Sequence, residues 1–386
     1  MIIVYFIAMS NRSLSRSESY VKELLLEADV AVGGGRPQDI EVFDDAFYAR
    51  VLSEGSLGLG EAYMDRQWNA NELDEFFHRV IRANLERHVQ WNRHTILALL
   101  QAKFTNMQTK ARSKHVAEKH YDESGVLPDA LLDPNNQYTC AYFRDGGETL
   151  DQAQEKKLRL MCEKLRLQEG DEVLDIGCGW GGFAKFAAEN YGCSVTGISI
   201  SDEQIKYARD FCKGLPVEIR HCDYRDLEGK FDKVLTCGMI EHVGNKNYRT
   251  LFQTVHDHLS DEGLYLLHTI GSNTSTSVVD PFIHKYIFPN GMLPSQEQLS
   301  KAANGLFILQ DTQNLGPHYD PTLMAWNENF QANWDAIKHR YDERFKRMFE
   351  YYLLSSAGAF RAGSMQLWQM VFSKNGGEVM DYRGVR

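Results

Sequence analysis

At 386 residues, with 43% hydrophobic and 25% charged side chains, the chain has a globular make-up and exceeds the size of one economical core. No apolar run reaches the roughly 20 residues that a membrane-spanning helix needs, and a formal charge of −11 argues against a nucleic-acid partner, whose phosphates require a basic face. The seven cysteines are odd in number and form no C-x-x-C pair, which fits a reducing, cytoplasmic compartment and gives no reason to expect a metal.

Residues 1–8 are apolar, but the run is short, with no basic residue before it and no cleavage site after it. It reads as an extension with Met9 as a second candidate start; a weak signal anchor is the alternative. From Ser17 to Arg82 short helical patterns alternate with turn clusters such as Gly33-Gly34-Gly35, predicting a small, mostly helical domain. Between Arg82 and Lys119 eight basic residues face only Glu86 and Glu118, and Trp91, Ile96, Leu97, Leu99, Leu100 and Phe104 are interleaved with them. That composition suits an interfacial segment on an anionic membrane, and equally a solvated linker. The expected division is therefore a helical domain over 1–105, a basic linker over 106–120 and a larger domain over 121–386.

Thr149-x-x-Gln152 is a capping box, and Leu158, Met161, Cys162 and Leu165 follow at helical spacing, so a helix is predicted to end near Gly170. Strands are then predicted at Val173 to Ile176, Ser194 to Ile198, Val217 to Arg220, Lys233 to Thr236 and Leu264 to His268. Helices at Asp202 to Lys213 and Tyr248 to Leu259 separate some of them. Such alternation predicts an α/β fold with a doubly wound, mainly parallel sheet. From Pro281 onward the pattern reads as aromatic-rich helices that cover a pocket.

The segment from Val173 to Gly182 places glycines where a strand turns into a helix while its backbone closes on a ligand. Gly177, Gly179 and Gly182 satisfy G-x-G-x-x-G, which by spacing alone suits a dinucleotide dehydrogenase or a bland turn as well. Two features favour S-adenosylmethionine. Asp175 precedes the loop as a carboxylate for the ligand's cationic amino-acid end, and no ribose-binding acid stands about 20 residues on, where the run is Thr196-Gly197-Ile198-Ser199-Ile200-Ser201. Asp223-Tyr224-Arg225, after the third strand, is then the candidate adenine site. The expected cofactor-binding set is Tyr138, Asp175, Gly177, Gly179, Trp180, Gly181, Ser199, Gln204, Asp223, Tyr224 and Arg225.

Further motifs occur in order: Gly55-Ser56-Leu57-Gly58-Leu59-Gly60-Glu61, Tyr138-Thr139-Cys140-Ala141-Tyr142, and Gly238-Met239-Ile240-Glu241-His242-Val243-Gly244. Leu267-His268-Thr269-Ile270-Gly271, Tyr286-Ile287-Phe288-Pro289-Asn290-Gly291 and Thr322-Leu323-Met324-Ala325-Trp326 complete the set. From about Ser17 to Phe372 the chain resembles the bacterial cyclopropane-fatty-acyl-phospholipid synthases. That resemblance implies a Rossmann-like class I methyltransferase fold and methylene transfer from S-adenosylmethionine to the cis double bond of a phospholipid acyl chain. It implies catalytic residues Cys140, Glu241, His268 and Tyr319, which with the backbone at Ile270 would hold bicarbonate as the base. It implies also a homodimer working at the inner face of the membrane, and an apolar tunnel lined by Tyr138, Tyr286, Phe288, Tyr319, Trp326 and the run from Phe345 to Phe360. After His120-Tyr121-Asp122 the run Glu123-Ser124-Gly125-Val126-Leu127-Pro128 departs from the family pattern, so no role is carried to residues 123–128.

Each site residue also has an ordinary reading: Cys140 as a small core residue, Glu241 as a helix-start acid, His268 as a hydrogen-bonded strand end. Two other functions stay open, a lipid-binding protein that keeps the fold without turnover, and a methyltransferase giving a methyl-branched or methylene product.

Overall fold

The computed structural model describes residues 16–85, 126–275, 279–376 and 381–386. Nearly all of the basic stretch, and positions 123–125 of the divergent run, lie outside them. Among the described residues no helix is long and apolar enough to cross a membrane.

The chain forms two compact units, and they are not linear blocks. Among the described residues, one combines 16–85 with 279–289 and 334–364, and the other takes 126–275, 290–333, 365–376 and 381–386. Two later segments complete the core of the first unit, and the expected boundary region at 106–120 lies outside the described residues. In that unit the short strands Ile40–Val42 and Trp68–Ala70 pair antiparallel, flanked by helices Ala46–Glu54, Ser56–Met64 and Leu73–Arg82. The rings of Tyr63 and Phe77, which pack on Trp68 and Phe76, need a cover, and helix Glu343–Arg361 supplies it. Tyr351 packs on Tyr63 and Phe77, with ring centroids 5.6 and 5.1 Å apart, and Phe282 from helix Pro281–Tyr286 reaches within 4.5 Å of Tyr351. Gly58 and Gly60 of the sequence motif allow close approach: a Cβ on Gly60 would lie 2.2 Å from the Phe282 ring. Glu61 accepts from Arg50, Lys285 and the Tyr286 hydroxyl, and these partners outweigh its burial to hold the carboxyl down at about 2.

The second unit holds the predicted sheet, whose elements are numbered here from its first helix. They are α1 Leu150–Leu165, β1 Glu172–Ile176, α2 Gly182–Tyr191, β2 Ser194–Ser199, α3 Asp202–Phe211, β3 Val217–His221 and β4 Phe231–Cys237. After these come α4 Tyr248–His258, β5 Leu259–Ser272, α5 Gln296–Ala303, β6 Phe307–Asn314, α6 Tyr319–Ile337 and β7 Met365–Lys374. Strand order is β3-β2-β1-β4-β5-β7-β6, parallel from β3 to β5, with β7 antiparallel to both of its neighbours. The capping box at Thr149 and Gln152 forms as expected, but α1 stops at Leu165, where Arg166 turns left-handed at φ 53°.

The final third differs from its helical reading: besides helices it contributes β6 and β7. Both faces of β7 are covered, Val371 on the side of α1 and α2, Trp368, Met370 and Phe372 on the side of α4 and α5. A strand buried on both faces shows no alternation to read. The chain runs outward from β1 to β3 and then returns to β4 on the other side of β1, so the crevice for a ligand lies beyond the C-terminal ends of β1 and β4.

Candidate active site

The glycine loop stands at this switch point. Gly177 has φ 83°, and a Cβ there would come within 2.7 Å of the Met239 side chain from the loop after β4, so the two loops pack directly. Gly182 opens α2 against the carbonyl of Asn135, which a Cβ would approach to 1.8 Å. Gly179 and Gly181 complete the turn, and Trp180, buried, sets its ring 5.3 Å edge-on from Tyr207.

Asp175 is the penultimate residue of β1, 2% exposed, with no hydrogen bond to its carboxyl among the described residues. Burial pushes its carboxyl up to about 7 against the pull of the Lys157 ammonium. Ser199 ends β2; its hydroxyl donates to Gln204 Oε1 at 3.1 Å and accepts from the Ser201 amide. Asp223 is gripped by Arg225, whose Nε and guanidinium nitrogen donate at 2.7 and 2.6 Å, so the expected adenine acid already carries a bidentate partner. Tyr224 packs at the edge of the β1/β4 core.

Residues 137–141 form an irregular strap, bent at Thr139, that carries Tyr138 and Cys140 past the glycine loop and the loop after β4: a Cβ on Gly182 would lie 2.3 Å from Gln137, and one on Gly238 2.9 Å from Thr139. Two residues absent from the sequence expectations anchor it from below. Lys157 of α1, completely buried, donates to Gln137 Oε1 at 2.5 Å and Thr139 Oγ1 at 2.8 Å, and Gln154 donates to the Thr139 carbonyl at 2.9 Å. Their signal was a lysine and a glutamine on the apolar face of α1, where a polar group survives only if it is hydrogen-bonded. From above, the Ala141 amide donates to Thr322 in the first turn of α6. The Tyr138 ring lies 5.0 Å from Trp326, which also meets Tyr319 at 6.1 Å. Of the other aromatics expected in a tunnel, Tyr286, Phe288 and the run from Phe345 to Phe360 belong to the first unit.

Glu241 lies in the short 3₁₀ turn Ile240–His242 where β4 would have continued. Its Oε1 accepts from the Ile270 amide at 2.7 Å, the strand N–H that β4 no longer pairs. Met292 donates to its backbone carbonyl at 2.7 Å. Ile270 thus uses its N–H on Glu241 and its carbonyl on the Thr269 hydroxyl. Oε2 of Glu241 is buried without a hydrogen-bond partner among the described residues, and burial pushes this carboxyl up to about 7. His268, two residues back on β5 and 1% exposed, pairs through Nδ1 with Gln369 at 3.2 Å, while its Nε2 is buried and unpartnered among the described residues. Burial holds this imidazole well below its ordinary value, hence neutral. Cys140 is fully buried, its thiol donating to the carbonyls of Ala141 and Leu315; burial pushes the thiol far up, so it is neither a thiolate nor a nucleophile. Tyr319 heads α6, buried, and burial likewise keeps its phenol protonated; Cys140, Glu241 and Tyr138 all act on it electrostatically.

Residues 108–370 match the family model described as mycolic acid cyclopropane synthetase. The chain belongs to that family. It is 51% identical over 352 residues to the cyclopropane-fatty-acyl-phospholipid synthase of Escherichia coli (strain K12), covering 91% of this chain and 92% of the relative. Against the tuberculostearic acid methyltransferase UfaA1 of Mycobacterium tuberculosis the identity is 31% over 396 residues, with 96% and 92% covered. The crystal structure of mycolic acid cyclopropane synthase CmaA1 complexed with SAH and CTAB superposes with a TM-score of 0.63 at 31% identity, covering 68% of this chain and 98% of that one.

Proposed function

We propose that this chain transfers a methylene group from S-adenosylmethionine to the cis double bond of an unsaturated phospholipid acyl chain. The alkene π pair bonds to the sulfonium methyl, the S–C bond breaks to release S-adenosylhomocysteine, and loss of a proton from the new methyl lets its C–H pair close the ring. The observation that carries the reading is the pair of orphaned atoms Glu241 Oε2 and His268 Nε2, on residues joined through β5 at the crevice where the glycine loop turns. Two buried, unpaired polar atoms are costly unless a polar ligand satisfies them. They suit bicarbonate: Glu241 accepts from its O–H, while His268 and Tyr319 hold its charged oxygens. When bound, bicarbonate supplies the proton acceptor. The chain's own part is to exclude water that would capture the cation, which the buried Cys140, Tyr319 and Trp326 do. The cofactor lies on the loop from Gly177 to Gly181, its cationic end toward Asp175. The name of the 51% identical relative supports lipid cyclopropanation over the runner-up, methyl branching. Incubation with unsaturated phosphatidylglycerol and S-adenosylmethionine is expected to add 14 mass units per acyl chain, with ring protons in the proton NMR spectrum. A methyl doublet or a vinylidene signal in their place would move the assignment to the runner-up.

The same reading places the protein in the cytoplasm, as a homodimer peripheral to the inner leaflet, where its lipid is. The odd, unpaired cysteines and the basic, apolar composition of the stretch from Arg82 to Lys119 support it. Each Lys or Arg near an anionic surface contributes about 1 kcal/mol, and the contribution is screened by salt. Charge reversal at Arg93, Lys103 and Lys110 is expected to release the protein from phosphatidylglycerol vesicles in sedimentation while its S-adenosylmethionine affinity stays at the parent's value. Equal sedimentation of parent and variant at every salt concentration would make the stretch a linker.

A further inference from the structure

Cys237, His268, Gln369 and Gln313 stand opposite one another on β4, β5, β7 and β6, forming one row across the sheet. Registered partners share a face, and Cys237 packs with the residues beneath α1, so the row lies under that helix. It is polar throughout, whereas the preceding row on this face is apolar from Leu235 through Leu266 to Val371 and polar only at its edge residue, Asp311 of β6. Two wholly buried lysines of α1 cover its ends, Lys157 donating to Thr139 of the strap and Lys164 donating to Gln313 Oε1 at 2.7 Å.

We propose that Gln369 is a positioning residue: its side-chain amide donates to His268 Nδ1, holds the ring in the Nε2–H tautomer, and thereby gives the site its N–H donor for an anionic oxygen. The geometry begins with the contact itself, Gln369 Nε2 to His268 Nδ1 at 3.2 Å between residues 0% and 1% exposed. An amide N–H facing Nδ1 requires a lone pair there, so in the neutral ring the proton is on Nε2. That nitrogen is the one left without a partner. The neutral form is secured by burial, with the Lys157 and Lys164 charges acting in the same direction.

The tautomer decides what the site can hold. Glu241 Oε2, ionised, is an acceptor. With Nε2–H the two orphaned atoms are one acceptor and one donor, the complement of an anion that carries one O–H. With the proton on Nδ1 both would be acceptors, and the site would suit water or an ammonium ion and repel an anion. Gln369 thus selects the kind of ligand without touching it. This rests on the bicarbonate reading above, but ring nitrogens report it independently of turnover.

The test uses the full-length protein with ¹⁵N-labelled histidine rings, the His268 resonances being assigned by their loss in His268→Gln. At neutral pH the parent is expected to show a protonated Nε2 and a bare Nδ1. Gln369→Glu, whose carboxylate accepts from Nδ1–H, is expected to reverse the two and to lower kcat at least tenfold, leaving the Kd for S-adenosylmethionine within twofold of the parent's. Gln369→Met, with no donor, is expected to give mixed tautomers and an intermediate kcat. A parent ring protonated on Nδ1, or a reversed tautomer with kcat unchanged, overturns the proposal. A parent that shows the expected tautomer but forms no cyclopropane overturns the function proposed above and leaves the hydrogen bond standing.

Discussion

Glu241→Gln protein is expected to bind S-adenosylmethionine as the parent does and to form cyclopropane roughly 10² to 10⁴ times more slowly, the range of a lost general-base arrangement. The amide has the carboxylate's shape, so the Ile270 amide still finds an oxygen at the position of Oε1. The Oε2 position then becomes an NH₂ that donates toward the ligand's own O–H, and the anion is lost. The parent's pH profile carries the same information. Burial raises the Glu241 carboxyl to about 7, and only its ionised form accepts a hydrogen bond at both oxygens. Turnover under saturating cofactor should therefore rise with pH through about 7 and level off, and the residual rate of Glu241→Gln should lack that step. Single-turnover rates with and without added bicarbonate measure both. A variant as fast as the parent in bicarbonate-depleted buffer would refute the proposed site.

Asp175→Asn is expected to weaken S-adenosylmethionine about a hundredfold in titration calorimetry, within the 2–5 kcal/mol that loss of one partner of a buried charge pair costs. The carboxyl has no hydrogen bond of its own among the described residues and titrates at about 7 in the free protein. A cationic ligand needs it ionised, so parent affinity should fall about tenfold per pH unit below 7 and be constant above it. The Asn variant should show no such slope. Stability moves the other way. A carboxyl raised above its unfolded value of about 3.9 adds stability that is fully present below that value and is lost progressively as pH rises from there through about 7. Asp175→Asn should accordingly melt higher than the parent at pH 8 and with it at pH 4. Unchanged cofactor affinity, or tight NAD binding by the parent, would sink the assignment.

The parallel half of the sheet was legible because its strands are short apolar runs bounded by turns, with Val173 to Ile176 running straight into the glycine loop. The other half was not. β6, Phe307–Asn314, is a polar edge strand, and Ile308 and Leu309 are exposed, 46% and 48%, so it carries neither alternation nor a buried run. β7 is buried on both faces, and Gln366 and Gln369 interrupt its apolar pattern. Of the candidate site, Asp175 and the glycines could be argued from chemistry; Cys140, Glu241, His268 and Tyr319 stood out only as members of motifs in order. The supports escaped because they belong to pairs formed across space. Lys157 acquires its meaning from Thr139, and Gln369 from His268, only when the strap and β7 are in place. The sequence likewise could not show that Arg225 already holds Asp223, or that Ile270 spends its amide on Glu241.

The helical unit is sewn from three distant stretches, and that has a consequence during synthesis. Arg347 donates to the carbonyls of Tyr63 and Trp68, and Gly358 fits so closely that a Cβ there would lie 2.5 Å from the Asp74 carbonyl. None of these contacts can form until the ribosome has made nearly the whole chain. The first-made strands and helices must wait, with Tyr63 and Phe77 uncovered, while the sheet's parallel strands are translated. Closure of so non-local a core is slow and prone to association in the interval. For the nascent protein, the hazardous surface is therefore the one that translation produces first and completes last.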